Sequence, residues 1–82
     1  MEERITEALQ RNFAGAQVHL RRDEQAEKVN GYVLWEGFSG HDFLWRQNSL
    51  YRVLHREFGP EAQSISHLFT YTPNEYEQMA AV

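Results

Sequence analysis

The chain has 82 residues, of which 41% are hydrophobic, 13% aromatic and 24% charged, with no cysteine and a formal charge of −4. That length leaves room for one domain, 1–82, with a core near the lower limit of what holds without disulfides or a metal, and the composition is that of a folded chain rather than a disordered one. The missing cysteines exclude disulfides, thiol catalysis and thiolate metal sites, and the acidic balance argues against a general binder of nucleic-acid phosphates.

The opening residues, from Met1 through Gln10, are acidic and carry no apolar run, so neither a signal peptide nor a membrane span is expected and the default location is the cytoplasm. Glu2 to about Phe13 reads as a helix with Ile5, Ala8, Leu9 and Phe13 along one stripe, acids at its positive end and Gly15 as its stop. Ala16 to Arg22 alternates, Val18 and Leu20 on one face and Gln17, His19 and Arg21 on the other, as a half-buried strand does. Asp23 to Lys28 is a polar loop and Val29 to Trp35 a second strand, which makes an antiparallel hairpin. Asn30-Gly31 is itself a hairpin dipeptide, but Glu24 to Lys28 would make a poor strand ahead of it, so the turn is placed earlier.

Phe38 to Phe58 is the longest helical pattern. At about 100° per residue, Phe43, Leu44, Gln47, Leu50, Tyr51, Leu54 and Phe58 share one side, which is expected to face the core. The other side carries Trp45, Ser49, Arg52 and Arg56, with His41, Arg46 and His55 at its edges. Ser39 followed by Asp42 suggests a capping box, and Asn48-Ser49, weak helix formers, suggest a bend that would divide the helix in two. Gly59-Pro60 ends it. Ile65 to Tyr71 is a third strand. Thr72, Pro73 and Glu75 then supply an N-cap, a proline at the first helical position and a capping-box glutamate, so Thr72 to Met79 is a closing helix docked by Tyr76 and Met79.

The expected fold is therefore α+β: helix-strand-strand-helix(-helix)-strand-helix, a three-stranded sheet with helices packed on it, and the last strand parallel to one strand of the hairpin. The later strands carry apolar residues on both faces. Either one sheet face stays open, which suggests a homo-oligomer or an obligate partner, or the first helix wraps onto that face.

His19, His41, His55 and His67 show no short metal-ligand spacing, and Ser39, His41 and Asp42 are too close in sequence to form a catalytic triad, so no enzyme is expected. Gly37-Phe38-Ser39-Gly40 spells the G-x-x-G of KH domains but stands ahead of the helix, where it reads as a strand-to-helix turn with Phe38 packed inward. From Phe43 to Arg56 there are three arginines and no acid. A tryptophan among arginines suits stacking on a base, a protein hot spot, or a solvated basic face.

Phe38, Gly40, Phe43, Leu44 and Arg46, then Tyr51, Leu54 and Glu57, then Thr70-Tyr71-Thr72 and Glu75-Tyr76, resemble the BolA-like proteins, and the agreement runs ungapped from about Val29 to Tyr76. The resemblance implies a fold like the class II KH domain. It also implies non-enzymatic regulation, pairing with monothiol glutaredoxins around a shared two-iron cluster and, in bacterial members, a role in transcription. Arg46-Gln47-Asn48 stands where the family has Arg-His-Arg, Ser64 where it has a histidine, and the Asp23 to Lys28 loop offers neither Cys nor His. The leading expectation is a regulatory adaptor that binds a protein partner through Trp45, Arg46, Ser49, Arg52 and Arg56. Nucleic-acid binding by the same face is the alternative, and iron-sulfur cluster sharing through His67 or His19 is a third.

Overall fold

The computed structural model describes residues Met1–Ala81. They form α1 (Glu2–Asn12), β1 (Gln17–Asp23), β2 (Lys28–Leu34), a 3-10 turn (Glu36–Phe38), α2 (Phe43–Phe58), a 3-10 stretch (Gly59–Ser64), β3 (Ile65–Tyr71) and α3 (Pro73–Ala80). This is the α+β layout read from the sequence, and the three strands lie in the order β1-β2-β3. The hairpin closes where expected, because the Asp23 carboxylate accepts from the amides of Gln25 and Ala26 and so builds the turn locally. β3 returns parallel to β2 after the α2 crossover.

Apolar periodicity places α1 and α2 on the same face of the sheet. Ile5, Leu9 and Phe13 from α1 and its cap join Leu50, Val53 and Leu54 of α2 over Val29 and Val33 of β2 in one buried cluster. The first helix therefore does not wrap to the opposite face. Trp35 closes one end of this layer: its indole N–H donates to the Ala14 carbonyl at 2.9 Å, and its ring meets Phe13 and Phe38 edge-on. Gly37 lets the turn pass beneath that ring, since a Cβ there would lie 2.4 Å from it. Phe38 is fully buried as expected, so the Gly37-to-Gly40 stretch is a packing turn.

Several sequence expectations are corrected. α2 runs without a break through Asn48 and Ser49, because tertiary packing of Leu50, Val53 and Leu54 outweighs the weak propensity of those two residues. Its N-cap is Asp42, whose side chain accepts from the Trp45 amide at 2.8 Å, while Ser39 ends the preceding 3-10 turn. Gly59 caps the far end at φ 56, a left-handed backbone that suits glycine. The capping box of Thr72 and Glu75 on α3 is present in full. Met79 remains exposed, and of the two residues expected to dock that helix only Tyr76 does so, by stacking on Tyr32 at 4.8 Å.

β3 contains a register shift: Val29 pairs with Ile65 but Gly31 with Leu68, so β3 carries one residue more than β2 between the two pairs. The bulge turns Ile65 and Leu68 both inward, and His67 and Phe69 are exposed. No helix among the described residues is long and apolar enough to cross a membrane.

Candidate functional site

α2 begins at Phe43, and its first turn projects beyond the core. Phe43 is 66% exposed, Leu44 64% and Trp45 41%. Helical periodicity placed Phe43 and Leu44 inside. Phe43 does lie on the inward angular side, but one turn ahead of Arg46 and Gln47, whose polar ends already meet the edge of β3, so no core remains for it to enter. The buried stripe of α2 is Arg46, Leu50, Val53, Leu54 and Phe58, rotated from the expected one so that Leu44 falls outside it.

Arg46 is the second correction. It was expected on the accessible face, yet it is only 9% exposed. Its guanidinium donates to the His41 carbonyl at 2.9 Å and the Thr70 carbonyl at 3.3 Å, and forms a two-pronged pair with Glu75 at 2.7 and 3.0 Å. Glu75 also accepts from the Thr72 amide. Hydrogen bonding by Arg46, reinforced by that amide, holds the Glu75 carboxyl down to about 2. Arg46 is thus a clasp between the start of α2, the end of β3 and the start of α3.

The clasp shapes the exposed turn. His41, held by Arg46 through its carbonyl, lays its ring on Trp45 with centroids 3.5 Å apart and planes 11° from parallel. Trp45 is therefore pre-oriented at the surface, its amide on Asp42 and its ring on His41. The rest of the expected stripe is looser. Arg52 is exposed and joins no ion pair among the described residues. Arg56 is exposed but donates to the Asn12 side chain at 2.7 Å, and Ser49 is half-buried. Sequence reasoning missed Phe43 and Leu44 as surface residues. Asp42 directly ahead of them was the available signal, because an N-cap there puts both in the first turn.

The opposite sheet face is largely open. His19 stacks on Tyr32 at 4.7 Å, Tyr32 stacks on Tyr76, and His67 meets Phe69 edge-on at 5.1 Å. The Tyr32 and Tyr76 hydroxyls share a hydrogen bond of 3.0 Å, which raises the Tyr32 phenol above its ordinary value. The structure brings His19 and His67, far apart in sequence, to one groove of about 290 Å³ on this face. No group of three or more His, Asp or Glu side chains suited to holding a metal occurs among the described residues, so these two histidines do not fit a metal held by this chain alone. Compared with known proteins, the chain matches no family model, no curated protein and no solved structure.

Proposed function

We propose that the protein is a small non-enzymatic adaptor of the BolA-like kind, which acts by binding a protein partner through the first turn of α2. The observation that carries this reading is the run Phe43, Leu44 and Trp45, three large side chains exposed in succession on a capped, rigid helix start. Monomers rarely leave such a cluster uncovered, and a tryptophan already held in one orientation loses little entropy on docking. Arg52 lies on the same outward side and supplies the polar rim. Arg46 enters as the residue that positions His41 and Trp45, not as a contact.

The partner class is a monothiol glutaredoxin, in keeping with the resemblance, and the setting is the cytoplasm, with which a cysteine-free chain is compatible. Nucleic-acid binding by the Trp45 and Arg52 face is disfavoured, because Arg56 is tied to Asn12 and lies 3.9 Å from Glu57. A shared cluster would find only His67 and His19 as candidate ligands here, and they lie in the groove of the open sheet face.

The test is titration of a cluster-loaded monothiol glutaredoxin with this protein, followed by calorimetry and by visible absorption and circular dichroism. Trp45→Ala with Leu44→Ser is expected to weaken the complex at least tenfold while leaving the fold intact. A change in the cluster spectrum that His67→Ala abolishes would move the contact to the sheet. Absence of any complex would remove the glutaredoxin reading.

A further inference from the structure

The groove on the open sheet face differs in kind from the apolar turn of α2. Its walls are rings: His19 lying against Tyr32, and Phe69, 48% exposed, with His67 against its edge. Arg21 and Asn30 also line it, and no carboxylate does, in a chain with 12 acids against 8 lysines and arginines. Arg21 joins no ion pair among the described residues. The nearest acids along the chain, Asp23 and Glu24, line an adjoining pocket that shares Arg21 and Asn30 with the groove, and the Asp23 side chain is engaged there by two backbone amides. The volume, about 290 Å³, is at the lower edge of small-ligand sites.

We propose that this face binds single-stranded nucleic acid, with Phe69 and His19, the latter backed by Tyr32, as stacking surfaces for bases and Arg21 as the phosphate contact. Rings of this kind, offering π-faces beside a cation in a groove without a carboxylate of its own, suit bases joined by phosphates. A second copy of the chain suits the face less well. Two-fold pairing about an axis through this groove would bring the two Arg21 guanidiniums toward each other, a like-charge juxtaposition. The proposal is independent of the α2 reading, since it uses different residues on the opposite side of the sheet.

The test is fluorescence anisotropy of labelled oligothymidine and oligoadenosine, at low and at raised salt, with the whole protein. Phe69→Ala is expected to weaken binding about tenfold with little effect on the salt dependence. Arg21→Glu is expected to weaken binding and to flatten the slope of log affinity against log salt by about 0.7, the loss of one phosphate contact. Arg52→Glu on α2 should change neither. Phe69 lies outside the buried core, and Arg21→Glu keeps the test decisive if Phe69→Ala fails to fold. The proposal is overturned by any of three results: no binding at low salt, loss of binding with Arg52→Glu but not with the sheet variants, or a homodimer that Phe69→Ala dissociates and that excludes the strand.

Discussion

Arg46 makes four hydrogen bonds to three acceptor residues in three parts of the fold, and its partner Glu75 stays 45% exposed at the side chain. That asymmetry sets both the size and the pH dependence of its contribution. The Glu75 carboxyl titrates at about 2 in the folded chain against an ordinary 4.5, so its stabilisation is fully present above about 4.5 and is lost as pH falls through about 2. Solvent screening of a half-exposed carboxylate reduces the effect to about 1–2 kcal/mol. Glu75→Gln keeps a capping-box side chain and removes the charge, so it isolates this contribution. Urea unfolding should show the variant weaker by that amount at neutral pH, with the difference from the parent shrinking toward pH 2. An equal deficit at both pH values would mean that lost packing, not charge, explains it.

At the scale of elements, β3 is an edge strand whose outward backbone groups are closed by side chains of α2. Gln47 donates to the Leu68 carbonyl at 2.9 Å and to the Thr70 hydroxyl at 3.1 Å, Arg46 donates to the Thr70 carbonyl, and the Leu68 amide donates to the Tyr51 hydroxyl at 3.0 Å. Such closure blocks the pairing with another sheet that a bare edge invites. Tyr51→Phe removes the acceptor while keeping the ring, and should cost about 1–3 kcal/mol by leaving the Leu68 amide unpaired. Faster hydrogen exchange at Leu68 with a lower urea midpoint is the expected result, and unchanged exchange there would show that the bond contributes nothing. This edge also explains what could be read beforehand. The α3 cap was legible because Thr72, Pro73 and Glu75 act within one turn of chain, and the hairpin because Asp23 closes its own loop. The inward side of α2 was only partly legible: periodicity locates a stripe but cannot say where the core beneath it ends, and Gln47 and Arg46 face inward for the backbone groups of a strand more than twenty residues away. That His67 and Phe69 share a face follows from strand alternation, but the bulge that turns Ile65 inward with Leu68 had no local signal, because it exists only in the pairing of β3 with β2.

For the whole molecule, one core lies between the two proposed surfaces. Leu54 is fully buried and belongs to the cluster that joins α1, α2, β2 and β3, while Phe43, Leu44, Trp45 and Phe69 are exposed outside it. A chain of this size is stable by about 4–12 kcal/mol at typical per-residue values, so Leu54→Ala, at about 2–5 kcal/mol, should remove a large share of the total. Because the same cluster holds the sheet and both long helices, the loss is expected as one cooperative transition at lower denaturant, followed identically by far-ultraviolet and near-ultraviolet circular dichroism, with an unchanged dependence on urea. Where the variant is still folded, its affinities at the α2 turn and at the sheet groove should equal those of the parent, since neither surface draws on Leu54. Separate transitions for the two spectra would mean that the helices and the sheet do not share one core. A parallel loss of affinity in the folded variant would mean that at least one surface depends on core packing, not only on the exposed side chains that form it.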